Sequence, residues 1–369
     1  MSKTSSTGIV IHKPGHIELA EFDIPPVRDN SALLDIEVCG ICGADVELYR
    51  GHSTKEFEPC VLGHEPVGRI REIGSELAAR WKVSAGDRVV VNEVIACGNC
   101  ALCAAGRGEL CNGFFGTAGS RYGFIPTTKG SGLWGGFSTT MELDARTQLR
   151  PIAEHVPTSV AAMFMPISNG VHWLFELARL RPRDSVLIIG PGVQGLAVAA
   201  VGARAADLDV IVAGIASDRH RLKLAKEVGA LAAVDTSSED VVDVVMSATE
   251  GIGVDAVVIV TSGTDSVIST ATRCARTGGT IVVAGTNGWK SEQRFKADAL
   301  VFRDLTLRGA PGHSIGSVER AVKLLESAPE AFEPLVGAEY ALRDVASALD
   351  ISTGAATAGG VHMSVRPDL

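Results

Sequence analysis

The sequence predicts an α/β chain of two dissimilar parts, a β-rich portion and a doubly wound parallel sheet, and three observations carry this. Over residues 7–156 short β-branched runs such as 87–91 are punctuated by Gly and Pro, the pattern of strands joined by turns. After Pro157 apolar strands and amphipathic helices alternate, the β-α-β-α order that builds a parallel sheet. A glycine-rich turn stands at one strand-to-helix junction of that alternation, at residues 190–195.

In chain order, the β-rich part first offers chemistry at Cys42. The string Gly40-Ile41-Cys42-Gly43-Ala44-Asp45 is followed, 22 residues after the cysteine, by Gly63-His64-Glu65. A thiolate, an imidazole and a carboxylate completed by water form the coordination set of a catalytic zinc, which needs one corner open to substrate. Such an ion polarises an alcohol oxygen and lowers its proton affinity, so that hydride can leave the adjoining carbon. A Cys and a His at this separation can equally be packing residues; the surrounding glycines and a second cysteine cluster favour the metal.

That cluster is Cys97, Cys100, Cys103 and Cys111, spaced CxxCxxC with seven residues before the fourth. Four ionised thiolates so close would repel one another, and a divalent cation resolves this by closing a tetrahedron of sulfurs. No corner is then left for substrate, so this zinc is expected to be structural. The alternatives are free buried cysteines or an iron–sulfur cluster, whose bacterial ferredoxin pattern closes with a shorter gap and a proline.

Beyond Pro157, Thr158 or Ser159 can cap a helix reaching Leu180. A strand at 186–189, a helix from about Val193, a strand at 210–213, a helix at 218–228 and strands at 254–260 and 280–284 complete the alternation. Beyond Arg303 strands and helices mix again, with no internal repeat. The string Gly190-Pro191-Gly192-Val193-Gln194-Gly195 fits GxGxxG: the first Gly allows the tight turn, the second admits a pyrophosphate, and the third lets helix pack on strand. Amides at the helix start then face the phosphates, which makes Gly190, Gly192, Val193, Gln194 and Gly195 candidate cofactor contacts.

An acid at the end of the next strand normally binds the ribose hydroxyls of NAD. Counting back from Lys226-Glu227-Val228-Gly229-Ala230 puts Ala216 there. Its lack of a carboxylate, with Ser217, Arg219 and Arg221 nearby, tips the balance toward the 2′-phosphate of NADP over NAD. Asp218 can alternatively reach the diol, and both arginines can be solvated helix residues.

Together GICGAD at 40–45, GHEPVGRI at 63–70, GDRVV at 86–90, the four cysteines and the glycine turn make the chain resemble the zinc-containing medium-chain dehydrogenase/reductase family, in its alcohol, sorbitol and threonine dehydrogenase group. The resemblance spans nearly the whole chain. It implies a GroES-like catalytic, zinc-binding domain from residues 1–166 and 309–369 and a Rossmann dinucleotide-binding domain from 167–308. It implies that Cys42, His64 and Glu65 hold the catalytic zinc and that Asp45 orients His64 through its second ring nitrogen. Two zinc ions per chain follow, with hydride transfer between NAD(P) and an alcohol: a secondary alcohol, a polyol or a hydroxy acid derivative. A homodimer or homotetramer joined through the strand around 305–307 is also implied.

Two positions break the family pattern. Met165 stands where relatives carry a Cys or Glu near the metal, and a thioether is a poor zinc ligand beside two anionic donors, so Glu65 and water are expected to complete the shell. Ala44 stands where a Ser or Thr usually begins the proton relay, and Glu47 where a His continues it. Glu47, or a hydroxyl of the substrate, is then expected to take the proton through water, unless Glu47 is an ordinary surface residue.

Composition excludes several other roles. With 369 residues, 46% apolar and 21% charged, the chain can bury a large core. A net charge of −9 without a basic stripe argues against nucleic acid. No apolar run approaches the roughly 18 residues of a membrane span, and the Ser/Thr-rich start is no export signal, so a cytoplasmic enzyme acting on a small alcohol or carbonyl is expected. The aromatics of residues 113–137, among them Phe114, Phe115, Tyr122, Phe124 and Trp134, are expected to wall the zinc or to fill core. Two rival functions remain: a non-catalytic cofactor-binding sensor or partner, and a metal-independent reductase of activated carbonyls or alkenes. Cys42 and His64 weigh against both.

Overall fold

The computed structural model describes residues 4–52, 58–111, 120–261, 265–286, 292, 294–351 and 360–369. Phe114 and Phe115 lie outside these. By contacts the chain forms two units, Met1–Met165 with Leu325–Pro329 and Val336–Leu369, and Pro166–Leu324 with Glu330–Leu335. Residues 309–324, expected with the zinc-binding part, group with the second unit, where the Gly312 carbonyl accepts the Trp173 indole N–H at 3.0 Å.

The first unit is built from short strands, as its turn-rich composition predicts. These are β1 (Ser5–Lys13), β2 (His16–Asp23), β3 (Ala32–Gly40), β4 (Cys60–Val61), β5 (Glu65–Ile73), β6 (Arg88–Val91), β7 (Val94–Ile95), β8 (Ser120–Arg121), β9 (Thr140–Leu143) and β10 (Leu149–Pro151). The chain then supplies β11 (Ser185–Ile189), β12 (Asp209–Gly214), β13 (Ala232–Asp235), β14 (Val254–Ile259), β15 (Ala275–Val283) and β16 (Thr306–Gly309) to the second unit. It returns with β17 (Val336–Tyr340) and β18 (His362–Val365) to the first. The largest sheet of the first unit runs β10-β6-β5-β3-β18-β17, with β9 also paired to β3. Its core gathers Leu34, Ile70, Val89, Phe137, Met141 and Val365, all buried.

The second unit carries one six-stranded sheet, β13-β12-β11-β14-β15-β16, every neighbouring pair parallel. The strand order reverses between β11 and β14, and in such sheets ligands bind outside the carboxyl ends of the strands at that reversal. Leu187, Ile211, Val257 and Ile281 are buried in its core, as continuous apolar strands of a parallel sheet must be.

Several elements differ from expectation for physical reasons. The helix expected from Thr158 to Leu180 is three pieces: Thr158–Ala161, Phe164–Val171 and a wide π turn at His172–Leu177. Pro166 has no N–H to give and is tolerated only in a first helical turn, so the helix must restart just before it. The strand β13, of sequence Ala-Ala-Val-Asp, has little intrinsic β preference and forms by pairing with β12, Ile211 opposite Ala232. The helix Val241–Ala248 follows Asp240, whose carboxylate accepts the Val242 N–H at 2.8 Å.

Among the aromatics of residues 113–137, Tyr122 and Phe137 fill core. The buried Tyr122 hydroxyl lies 2.5 Å from Thr147 Oγ1 and accepts the Asp144 N–H at 2.8 Å. Replacing Tyr122 by Phe strands both partners and is expected to cost about 1–3 kcal/mol of stability in urea titration, with the far-UV spectrum of the native state unchanged. An unshifted urea midpoint would show that the hydroxyl contributes nothing.

Candidate metal centre and dinucleotide turn

The first site is assembled where β3 runs into the short helix Gly43–Tyr49. Cys42 stands at the helix N-cap in extended conformation, and its own N–H donates to Asp45 Oδ2 at 3.0 Å. The other oxygen of Asp45 lies 3.2 Å from His64 Nδ1, across a fully buried contact. One carboxylate therefore fixes both the cysteine backbone and the imidazole ring. With Nδ1 engaged, the ligand atom left to His64 is Nε2.

Glu65 follows at the start of β5, also buried. One ligand atom from each of Cys42, His64 and Glu65 lies within 4.8 Å of the others. Glu65 Oε1 is buried with no hydrogen-bond partner among the described residues, and Oε2 lies 3.2 Å from His362 Nε2. Burial pushes the Cys42 thiol up, although neighbouring His64 pulls it down. For His64 burial acts downward, yet Asp45 and Cys42 beside it raise the ring well above its usual range. A thiol, a carboxylate and an imidazole buried together fit the donor set of a divalent cation, whose arrival would displace the thiol proton. Met165 is buried beside Pro166, and Phe124 packs its ring against His64 at 5.3 Å.

The second cluster is equally well formed. The four sulfurs of Cys97, Cys100, Cys103 and Cys111 lie within 4.8 Å of one another, with Cys97 to Cys103 and Cys100 to Cys111 each at 3.9 Å. A tetrahedron with zinc–sulfur bonds of about 2.3 Å has edges of about 3.8 Å, so the spacing suits an ion with four thiolates. The backbone contributes: Cys97 N–H donates to Cys111 Sγ at 3.1 Å and Cys103 N–H to Cys100 Sγ at 3.4 Å. Hydrogen bonding from the Asn99 amide, then from Cys111, draws Cys97 down to about 6, while burial pushes Cys111 up to about 12. In the bare chain the thiols thus resist joint ionisation, and a cation is what allows it.

The glycine turn lies in the second unit, between β11 and the helix Val193–Ala205. Gly190 has φ 110°, closed to other residues, and its N–H donates to Ala213 O at 2.9 Å. A Cβ on Gly195 would stand 1.9 Å from the Gly190 carbonyl oxygen, whereas one on Gly192, at the helix N-cap, would meet nothing within 4 Å. The three glycines therefore divide into turn, open approach and close packing, as the motif requires. Gln194 is anchored by Asn169, which donates to its Oε1 at 2.8 Å. A cleft of about 720 Å³ opens here, lined by Gly190, Pro191, Gly214, Asp218, Glu239 and Asp240 among others.

Ala216 opens a single 3-10 turn, its N–H donating to Ser237 Oγ at 3.0 Å. Asp218 is the acid of this turn that lines the cleft: its Oδ2 accepts the Ile215 N–H at 3.1 Å and its Oδ1 the Arg221 guanidinium at 3.2 Å. Ser217 is exposed, and Arg219, 81% exposed, lies 3.8 Å from Asp235. Glu47 projects from the helix after Cys42, exposed and 3.1 Å from His52 Nδ1, while Ala44 is exposed on the same helix. His52 and His362 had no signal in the sequence, since neither belongs to a motif.

The alcohol dehydrogenase GroES-like domain matches residues 28–154 and the zinc-binding dehydrogenase domain matches residues 195–327. A protein named “Probable alcohol dehydrogenase” from Mycobacterium tuberculosis is 36% identical over 331 residues, 89% of each chain. The D-arabitol-phosphate dehydrogenase of Enterococcus avium is 34% identical over 261 residues, 70% of this chain and 69% of that one. A structure described as a zinc-binding dehydrogenase of Sinorhizobium meliloti bound to NADP superposes with a TM-score of 0.85 at 27% identity, covering 99% of this chain and all of the other. A GroES-like sheet, a doubly wound sheet with its glycine turn, and two sets of metal donors thus meet in one sequence, and the chain belongs to the zinc-containing medium-chain dehydrogenase family of oxidoreductases.

Proposed function

We propose that this chain interconverts an alcohol and its carbonyl by hydride exchange with a nicotinamide dinucleotide, at a zinc ion held by Cys42, His64 and Glu65. The observation that carries the reading is the convergence of those three unlike donors, with one Glu65 oxygen buried and unpartnered among the described residues. When bound, zinc supplies Lewis acidity toward the alcohol oxygen, easing its deprotonation near neutral pH. Cys42 and Glu65 supply the negative charge that retains a cation, and Asp45 holds His64 in the tautomer whose Nε2 is free. A second zinc held by Cys97, Cys100, Cys103 and Cys111 is structural, giving two per chain.

In this reading the first unit is catalytic and the second binds the dinucleotide. The substrate class is a secondary alcohol, a polyol or a hydroxy acid derivative, in keeping with the alcohol and arabitol-phosphate dehydrogenases among its relatives. Glu47 with His52 takes the proton that Ala44 cannot relay. The sensor and metal-independent reductase readings leave the donors of the first site without a purpose. Among the described residues no helix is long and apolar enough to cross a membrane. The edge strand β16, flanked by Val301 and Phe302 at 76% and 84% exposure, supports a homodimer or homotetramer.

The choice of dinucleotide turns on charge. Counting along the sequence favours NADP through Ser217, Arg219 and Arg221, and the S. meliloti relative holds NADP. What supports NAD instead is that Asp218, Glu239 and Asp240 line the cleft and Arg221 is already engaged by Asp218. A 2′-phosphate meeting those carboxylates is repelled, whereas ribose hydroxyls can donate to Asp218. NAD is therefore the cofactor we propose.

Three measurements test these assignments. Metal analysis of purified protein is expected to give two zinc ions per chain, with Cys42→Ser and Cys97→Ser each removing one; a single ion in the unaltered chain would defeat the scheme. NAD is expected to surpass NADP in kcat/KM, and Asp218→Ser to lower the NAD value by roughly 10–150-fold, about 1.5–3 kcal/mol for a hydrogen bond to a charged group. A strong preference for NADP would restore the arginine reading. Glu47→Gln is expected to change the pH dependence of the hydride step, and an unaltered profile would remove Glu47 from the proton route.

A further inference from the structure

We infer that His362 is a positioning residue of the metal centre, holding one oxygen of Glu65 so that the other is presented to the ion. The inference rests on the zinc reading above but concerns a residue outside every motif of the sequence. His362 opens β18, which lies against β3 with Ser364 opposite Gly40 and Val365 opposite Cys39. Its ring Nε2 is 3.2 Å from Glu65 Oε2, and both side chains are 1% exposed.

Gly40 explains how the pair fits. In the register of β3 and β5, Gly40 stands directly opposite Glu65. A Cβ on Gly40 would come within 2.2 Å of Glu65 Oε2 and 2.8 Å of His362 Nε2. The bare Cα of Gly40 is thus the floor over which the carboxylate and the imidazole meet. Three strands, β3, β5 and β18, contribute one residue each: floor, ligand and holder.

The two oxygens of Glu65 are consequently unlike. A carboxylate only accepts hydrogen bonds, so the contact has His362 donating from Nε2. Oε2 is occupied by that donor, while Oε1 is buried with no hydrogen-bond partner among the described residues. The terminal torsion of a glutamate is broad and two-fold, and without a holder the group can swing or offer both oxygens at once. With His362 in place it offers one. Partners of this kind fix a metal ligand's orientation, and their loss typically costs about 10–100-fold in metal affinity.

The test uses the full-length, zinc-loaded protein and times the release of zinc to 4-(2-pyridylazo)resorcinol by absorbance, with the Cys42→Ser protein identifying which phase belongs to the metal centre. His362→Leu, which keeps apolar bulk but no donor, is expected to release the ion of the metal centre about 10–100-fold faster while the four-cysteine ion leaves at its unaltered rate. His362→Gln, whose amide nitrogen can reach the place of Nε2, is expected to restore slow release to within a few-fold. Gly40→Ala, which disturbs the same pair from the opposite side, is expected to accelerate the same phase even if a His362 variant fails to fold. Equal release from the Leu and Gln variants, or unaltered release from His362→Leu and Gly40→Ala, would overturn the inference. If instead Cys42→Ser removes no zinc from the protein, it is the underlying zinc reading that fails.

Discussion

The carboxylate of Asp45 is the contact on which the first site depends. It is fully buried, and a charge so placed must be met by donors or the fold gives way. It is met by two: the backbone N–H of Cys42 and the ring of His64. The first bond sets the direction in which the chain leaves β3 and enters its helix, and so aims the cysteine. The second selects the free nitrogen of the imidazole. A single side chain therefore converts a local helix start into a long-range constraint between residues that are 19 positions apart.

The second unit obeys a steric constraint instead of an electrostatic one. Gly190 and Gly195 approach until no side chain fits between them, and this lets the helix start immediately beyond the strand with its free amides toward the cleft. The cleft then receives its sign from residues outside the motif. Asp218 is held by the Ile215 amide and by Arg221, so its carboxylate is oriented by backbone geometry before any ligand arrives. Arg221, one of the two arginines that a simple count offers to a phosphate, is engaged in holding Asp218.

Much of this was legible in the sequence, because local chemistry leaves local patterns. The four cysteines, the GxGxxG string and the Cys42 and His64 segments each carry their geometry in their spacing, and the alternation of strands and helices carried the doubly wound sheet. What escaped was set by partners distant in sequence. The strand β13 exists because β12 offers it a ladder, and the break before Phe164 because Pro166 cannot continue a helix. Asp218, which the sequence offered beside Ala216, lines the cleft after a 3-10 turn that no count of residues describes. His362 lies 297 residues from Glu65, a distance no spacing rule spans.

The place of β18 bears on how such a molecule is made. It is an interior strand of the large sheet, hydrogen-bonded to β3 on one side and β17 on the other, although residues 362–365 lie far beyond β3 in the chain. Because β18 follows the other strands of that sheet in the chain, the contact between His362 and Glu65 forms only once this strand has paired with β3.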